Sequence, residues 1–314
     1  MLLDTPTEEQ LARMREELKD DEYRMKQDVE HMRHWLTKQP HLPHHMEDDR
    51  LARFVYGCKL DVSRAKRVLE TYYTVRSTVP ELFSNRDPQS ADMQLCFAAV
   101  DYVPLPVLTP SGYRATLLCL RECDPDKFNV RSITTRILNS LDLRLRMEPR
   151  CLNNIMLIDL QGFTMAHYSK LSPTHALSRK ALLCIQDAFP LRLAQVHFIN
   201  APAFIGNIMK MFRPFLKEKL FNKFHFHCSG FESLHQQVPP EVLPQEYGGL
   251  LESTRVLTDR WNAELVRMRD WLLTEQRISK SDESRRPSGS CNVTASALIN
   301  GDEVHGTFRK LSID

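Results

Sequence analysis

The chain has 314 residues, of which 42% are hydrophobic and 26% are charged, and its formal net charge is +2. This length is sufficient for one large domain and a smaller one, with a sizeable apolar core. No apolar run reaches the roughly 18 residues of a membrane-spanning helix, and the near-neutral charge gives no reason to expect a nucleic-acid partner.

The N-terminus has no pattern typical of export. Its first ten residues, MLLDTPTEEQ, become acidic almost at once and contain no apolar segment of the length that a signal peptide needs. The eight cysteines form no CxxC pair and most lie in apolar surroundings, which is typical of reduced, buried thiols. Both features predict a cytoplasmic protein.

Residues 1–90 have the pattern of a small helical domain. The sequence TPTE at residues 5–8 has the form of a capping box, with Thr5 as the cap and Pro6 at the first helical position. Apolar residues then recur at helical spacing until a proline-bearing break at residues 41–43. Asp61 is placed to cap a later helix. We therefore expect a helical N-terminal domain over residues 1–90.

From about residue 95 the periodicity changes. Residues 155–158 (IMLI) form a continuous apolar run, which is typical of a parallel strand buried on both faces. Further strand-like and helical segments alternate as far as residue 228, and the sequence therefore predicts an α/β fold with a mainly parallel sheet flanked by helices over residues 91–252. A C-terminal helix is expected over residues 253–276. Residues 277–314, rich in Ser, Arg, Asp, Gly and Pro, have the composition of a disordered tail.

An unusually apolar helix is predicted after the strand that ends at Asn200. Its apolar residues occupy a wider arc than the usual stripe of about 100°. They are Phe204, Ile205, Ile208, Met209, Met211, Phe212, Phe215 and Leu216. This pattern fits either a crossover helix buried on all sides or a lid, which needs one apolar face toward a ligand and another to meet a membrane when it opens.

Basic residues surround this helix in the sequence. They are Arg192 before the preceding strand, then Arg213, Lys217, Lys219 and Lys223. Taken alone, such residues form a solvated charged face. Beside a lid they would meet anionic lipid head groups, where each charge near the bilayer contributes about 1 kcal/mol.

Several motifs in this half of the chain resemble the CRAL-TRIO lipid-binding family, in order and in spacing. They are residues 158–162 (IDLQG), 188–190 (AFP), 197–202 (HFINAP), 213–216 (RPFL) with Lys219, and 243–249 (LPQEYGG). Residues 51–54 and 59–62 resemble the helical N-terminal domain of the family. The similarity covers about residues 10–275 and is nearest to the branch that carries tocopherol and retinaldehyde.

The resemblance implies a pocket above the sheet, closed by a mobile helix, that holds a prenol-type or retinoid lipid. It also implies contact with phosphoinositides that promotes release of the ligand at a membrane. Arg192, Lys219 and Lys223 match basic positions that make this contact in the tocopherol carrier. Ala194 stands where that carrier has an arginine, and Ala201 stands where the family has a glutamate.

Candidate pocket residues lie on several predicted elements, and each is also a plausible core residue. They are Ile133, Ile137, Ser140, Ile158, Leu171, Cys184, Ile185, Leu191, Ile205 and Met209. The Ser140 hydroxyl is placed either to fix the polar end of a ligand or to face solvent on its helix.

Motifs of catalysis are absent from the sequence. It contains no GxSxG, P-loop, GxGxxG or HExxH pattern, and ten glycines are few for an enzyme that cradles phosphates. We therefore expect no enzyme, no cofactor and no metal site, but an intracellular lipid carrier that associates transiently with membranes. The alternatives are a phosphatidylinositol or phospholipid transfer protein and a non-catalytic signalling scaffold.

Overall fold

The computed structural model describes residues 2–19 and 22–287. Within this part of the chain six helices come first: α1 (Glu8–Leu18), α2 (Glu22–Thr37), α3 (Asp48–Gly57), α4 (Val62–Thr78), α5 (Pro80–Phe83) and α6 (Ala91–Ala99). None of the described helices is both long enough and apolar enough to span a bilayer.

The first helix begins two residues later than its capping motif predicts. Thr7 is the cap, because its hydroxyl accepts a hydrogen bond from the backbone N–H of Gln10, and the Gln10 side chain accepts one from the N–H of Thr7 at 2.8 Å. Thr5 was the wrong choice, since the reciprocal partner is Gln10 rather than Glu8. Asp61 caps α4 as predicted, with its carboxylate accepting from the backbone N–H of Arg64 at 2.9 Å.

A five-stranded sheet follows, in the spatial order β1 (Val100–Leu108), β2 (Tyr113–Leu120), β3 (Asn153–Asp159), β4 (Leu193–Ile199) and β5 (Phe224–His227). The first two strands are antiparallel and the other neighbours are parallel. The predicted α/β class with a mainly parallel sheet is therefore confirmed. The apolar run at residues 155–158 lies in β3, the central strand.

Helices connect and flank the strands. They are α7 (Val130–Met147) between β2 and β3, α8 (Met165–Leu171) and α9 (Ala176–Asp187) between β3 and β4, α10 (Ile205–Phe212) and α11 (Glu218–Phe221) between β4 and β5, and then α12 (Glu232–His235), α13 (Thr254–Arg267) and α14 (Arg269–Ile278). The segment expected to form one C-terminal helix is two helices, since the chain leaves helical geometry at Met268.

Side chains alternate between two faces of the sheet. One, called the α10 face below, carries Met156, Ile158, Val196 and Phe198 and packs against Ile208 and Met209 of α10. The other, called the back face below, carries Ala115, Leu117, Ile155, Leu157 and Ile199 and packs against Leu234, Val238, Leu243 and Tyr247. Each face of the sheet thus has its own apolar layer.

The N-terminal helices and the sheet domain share one core. Phe54 of α3 and Tyr72 of α4 belong to the same buried cluster as Leu138 of α7 and Cys184 of α9. Pro190, just before β4, lies so close to Gly57 that its carbonyl oxygen would be 2.0 Å from an added Cβ. Only glycine fits at position 57, and the end of α3 is therefore held against the sheet domain.

The polar stretch expected to be disordered from residue 277 begins as an ordered segment. The backbone N–H of Ser281 donates to the carbonyl of Tyr73, and that of Asp282 donates to the carbonyl of His41 at 2.8 Å. Arg286 forms ion pairs with Glu70 and Glu283. Hydrogen bonds and ion pairs hold residues 277–287 without apolar burial, which composition alone does not reveal. Residues 288–314 of the expected tail lie outside the described residues.

Candidate functional site

Helix α10 has one buried side and one exposed side. Ile208 and Met209 are buried on the α10 face, whereas Lys210 and Met211 are exposed, Met211 with 45% of its surface accessible. Of the other predicted lid residues, Phe204, Phe212 and Phe215 are half-buried. The helix is therefore not a crossover buried on all sides, and it keeps apolar surface in contact with solvent.

On the central strand, the side that faces α10 is less completely covered than the back face. Met156 and Ile158 of β3 are half-buried and pack against the cluster beneath α10. Their neighbours on the back face, Ile155 and Leu157, are buried. The layer above Ile158 therefore packs less closely than the layer that covers Leu157.

The structure does not bring the predicted pocket residues together in one place. Ile158, Ile205 and Met209 pack in the cluster beneath α10. The core shared with the N-terminal helices contains Cys184, with Ile137, Ile185 and Leu191 packed against it. Ile133 and Ser140 of α7 are buried, and Leu171 at the end of α8 is half-buried. Ser140 is fully buried, and its hydroxyl oxygen accepts a hydrogen bond from the Trp261 indole at 3.1 Å. It therefore joins α7 to α13 and is not the solvated residue considered as its alternative.

A cleft of about 300 Å³ lies between α10, the segment that follows it and the end of β5. Its lining is mostly apolar, with two cations at the edge: Ile205, Gly206, Met209, Lys210, Arg213, Phe221 and Phe226. The Arg213 guanidinium lies over the Phe221 ring at 5.2 Å, and Phe226 has 41% of its surface exposed. This surface combines apolar side chains with positive charge, as a membrane-binding surface does.

Two of the predicted basic residues meet where β4 and β5 begin. The N–H of Val196 donates to the carbonyl of Lys223, and the Lys223 ammonium donates to the carbonyl of Leu193. Arg192 is buried with its guanidinium over the Tyr56 ring at 5.3 Å. Its two terminal nitrogens are buried without a hydrogen-bond partner in the described part of the chain.

An additional lysine, Lys59, belongs to this basic group and was not predicted. It follows α3, is exposed, and has a left-handed φ of 60°. Burial lowers the pKa of Lys223, and the charge of Lys59 lowers it further. Burial also lowers the pKa of Arg192. Lys59 is far from Lys223 in the sequence, which therefore did not predict that the two belong together. Only the packing of α3 against the sheet domain brings Lys59 near Lys223.

The other predicted basic residues are placed differently. Lys217 forms an ion pair with Asp187, and its charge is therefore compensated. Lys219 on α11 is exposed, and Arg213 lies on the turn that follows α10. Arg192, Lys223 and Lys59 thus form one basic group. Arg213, Lys217 and Lys219 lie on the segment between α10 and β5.

The back face carries three interacting histidines, His197 of β4 and His225 and His227 of β5. The alternation of Phe and His in β5 predicts that its histidines lie on a different face from its phenylalanines. His197 Nδ1 and His227 Nε2 are 2.9 Å apart, and His227 Nδ1 lies 2.7 Å from Ser233 Oγ. The His225 ring stacks on His197 with a centroid distance of 4.9 Å. Burial, with the neighbouring imidazoles, lowers the pKa of His197 to about 3. Burial lowers the pKa of His227 as well, and His197 and His227 are therefore neutral near pH 7 and join β4 to β5.

Comparisons with known proteins match residues 103–249 to the CRAL/TRIO domain and residues 21–93 to the Pinta-like UBA domain. Alpha-tocopherol transfer protein-like from Homo sapiens is 30% identical over 272 residues, covering 86% of this chain and 78% of that protein. The Mus musculus protein of that name is 32% identical over 265 residues, covering 83% and 75%. Clavesin-2 from Homo sapiens is 30% identical over 247 residues, covering 77% and 74%.

Among solved structures, the crystal structure of Sfh5 superposes with a TM-score of 0.41 and 13% sequence identity, covering 72% of this chain and 79% of that chain. The range matched to the CRAL/TRIO domain contains β2 to β5, helix α10 and the motifs at residues 158–162 and 243–249. The relatives are matched over about three quarters of their own length. The chain therefore belongs to the CRAL/TRIO family.

Proposed function

We propose that this protein is an intracellular carrier that binds one hydrophobic lipid, tocopherol-like or retinoid-like, above the α10 face of the sheet. Helix α10 acts as its lid, and release takes place at membranes that contain phosphoinositides. The protein resides in the cytoplasm, associates with membranes transiently, and needs no catalytic step. The main support is the incomplete burial of Met156 and Ile158 beneath α10, whereas Ile155 and Leu157 on the back face of the same strand are buried.

The energetics favour tight but reversible binding. A lipid with about 500 Å² of apolar surface would gain about 12 kcal/mol on burial, at about 25 cal/mol per Å². The cost of association and of ordering the lid reduces this gain. Because the lipid is covered, it leaves slowly unless α10 moves. Binding of a membrane to the open state would shift the population toward release.

The length and the side chains of helix α10 are suited to such a movement. It is short, because Pro214 follows it and has no N–H to continue the helix. Met209 faces the sheet, while Met211 faces outward and accepts a hydrogen bond from the Tyr168 hydroxyl at 2.8 Å. Methionine side chains adapt to different surroundings, and the helix can therefore exchange contact with the sheet for contact with lipid.

The basic residues supply the phosphoinositide contact in this proposal. Arg192 offers two terminal nitrogens that have no hydrogen-bond partner among the described residues. Lys223 binds the carbonyl of the adjacent Leu193, and the charge of Lys59 acts on Lys223. A phosphate that accepts hydrogen bonds from such a guanidinium would satisfy a donor that is costly to leave buried and unpaired. Lys219 and Arg213 extend the positive surface toward the lid.

Replacing both Lys219 and Lys223 with alanine is expected to slow lipid transfer to phosphoinositide vesicles by about thirtyfold, because two charges contribute about 2 kcal/mol to docking. Lipid loading should stay unchanged. The measurement is the transfer rate of a fluorescent lipid between vesicles. Lys26→Ala with Lys38→Ala, at an exposed position of α2 and an exposed position just after it, is the charge-matched control. Equal transfer by the test variant and the wild type would contradict the phosphoinositide part of the proposal.

The Ile158→Trp variant is expected to lose most of its bound lipid, because an indole on the central strand would fill the space above it. The ratio of lipid to protein after purification should fall about tenfold, which corresponds to about 1.4 kcal/mol. Val256→Trp makes a similar change at an exposed position of α13 and should retain the lipid. If both variants carried as much lipid as the wild type, the ligand would not lie above Ile158.

The cargo is identified by purifying the protein from its own cells and analysing the bound lipid by mass spectrometry. One apolar lipid per protein supports the carrier. A stoichiometric phospholipid would indicate a phospholipid transfer protein instead. A protein that is empty and takes up no lipid from vesicles would favour the signalling scaffold.

A further inference from the structure

A second cleft lies where the end of α4 and α5 meet α14. Its volume is about 410 Å³, and it is lined by Arg76, Ser77, Pro80, Phe83, Ser84, Gln276, Arg277, Lys280 and Ser281. Two of these residues are exposed cations, three are serines, and none is an Asp or Glu. None of them belongs to the lipid space or to the basic group around Arg192.

Beneath this cleft, two buried arginines share one carboxylate. Arg76 Nη2 lies 2.6 and 2.8 Å from the two oxygens of Asp142, and Arg86 Nη2 lies 2.6 Å from one of them. All three side chains are almost fully buried. Within this group two cations share one anion, and a buried cation depends on every partner that it has.

The hydrogen bonding of these arginines is also incomplete. Arg76 Nε and Arg86 Nη1 are buried without a hydrogen-bond partner among the described residues. Arg50 beside them binds Glu275 through two hydrogen bonds of 3.1 Å and also pairs with Glu47 at 3.3 Å. The three arginines therefore face three carboxylates. What remains next to the cleft that Arg76 lines is its unpartnered Nε.

The rim of the cleft is also basic. Arg277 and Lys280 have no carboxylate within ion-pair distance in the part of the chain that the structure describes, and the Arg277 side chain bonds only to the Thr274 hydroxyl. The hydroxyls of Ser77 and Ser281 lie 2.7 Å apart and are already engaged, since Ser77 also donates to the carbonyl of Thr74 and Ser281 to Glu283. Glu283 is in turn bound by Arg286. The donors that the cleft offers are therefore its cations, and none of its lining residues is acidic.

We propose that this cleft binds a phosphate-bearing anion, contacted by Arg277 and Lys280 beside the unpartnered Nε of Arg76. The oxygens of a phosphate accept hydrogen bonds from several cationic donors at once. The bound anion would also hold α14 against α4 and α5. This site is independent of the proposed lipid carriage and does not use the residues around Arg192.

The phosphate has two possible sources, a soluble phosphate compound and the phosphorylated head group of a membrane lipid. The full chain is titrated by calorimetry with inorganic phosphate and with inositol trisphosphate. It is also tested for binding to phosphatidylcholine vesicles with and without phosphatidylinositol bisphosphate. Each titration compares the wild type with Arg277→Gln/Lys280→Gln and with Lys219→Gln/Lys223→Gln, which removes the same charge at the lid.

Loss of two charge-assisted contacts is expected to weaken binding of the soluble phosphates by tenfold or more in the Arg277→Gln/Lys280→Gln variant only. Unchanged vesicle binding by this variant would identify a soluble ligand, and an equal loss of vesicle binding would identify a lipid head group. Equal affinity of this variant and the wild type for both soluble phosphates would overturn the proposal. A defect confined to the Lys219→Gln/Lys223→Gln variant would overturn it also, while leaving the lipid carrier intact.

Discussion

The Asp142→Asn variant is expected to lose about 3–5 kcal/mol of its free energy of unfolding. Asp142 is fully buried and accepts hydrogen bonds from Arg76, Arg86 and the Tyr72 hydroxyl, the last at 2.8 Å. Burial alone would raise the pKa of Asp142, but the two arginines hold it at about 2. An amide of the same size would leave both guanidiniums buried with no counter-charge.

Urea unfolding at pH 7 measures this loss. Asp259→Asn is the matched control, because Asp259 also contacts two arginines, Arg121 and Arg255, but is half-exposed. Such surface pairs contribute about 1 kcal/mol or less. If Asp142→Asn cost no more than Asp259→Asn, the buried arginines would have another source of compensation, and the contribution assigned to Asp142 would be wrong.

Stability is also expected to fall between pH 7.5 and pH 5 because of the histidines that join β4 to β5. The pKa of His197 is about 3 in the folded chain and near 6.5 in an unfolded one, and the pKa of His227 is lowered as well. A lowered folded-state pKa gives stability that is complete above the unfolded pKa and is lost as the pH falls toward the folded pKa. His197 alone contributes a loss of about 2 kcal/mol over this interval.

The difference between wild type and a His197→Asn variant isolates this contribution. The asparagine amide retains an acceptor near the position of Nδ1 for His227, but it does not titrate in this range. Urea unfolding at pH 7.5 and pH 5 should show a larger loss for the wild type by about 2 kcal/mol. Equal losses would mean that His197 is not held neutral. Because β4 and β5 flank α10, weaker pairing at low pH would also loosen the lid.

Much of the fold follows from local patterns. The apolar run at residues 155–158 predicts a buried parallel strand, and it is the central strand. The alternation of Phe and His over residues 224–227 predicts two different faces, and the structure has phenylalanines on the α10 face and histidines on the back face. These predictions succeed because the period of side-chain burial depends on the local backbone geometry.

Local patterns also left questions that only packing could answer. The apolar arc of residues 204–216 fitted both a buried helix and a lid, and the structure shows one buried and one exposed side. The ordered segment at residues 277–287 has a disordered composition, yet its backbone pairs with Tyr73 and His41. Composition measures apolar content, whereas these contacts are hydrogen bonds to groups far away in the chain.

By itself the sequence determined the fold class, the order of strands and helices, the family motifs and the position of the apolar helix. Tertiary structure alone decided which side chains meet. Arg86 and Asp142 are 56 positions apart, Ser140 and Trp261 are 121 apart, and the approach of Lys59 to Lys223 depends on how α3 docks. Sequence periodicity indicates whether a residue is buried. The residue that it contacts depends on long-range packing. Charge compensation and ligand binding depend on that contact.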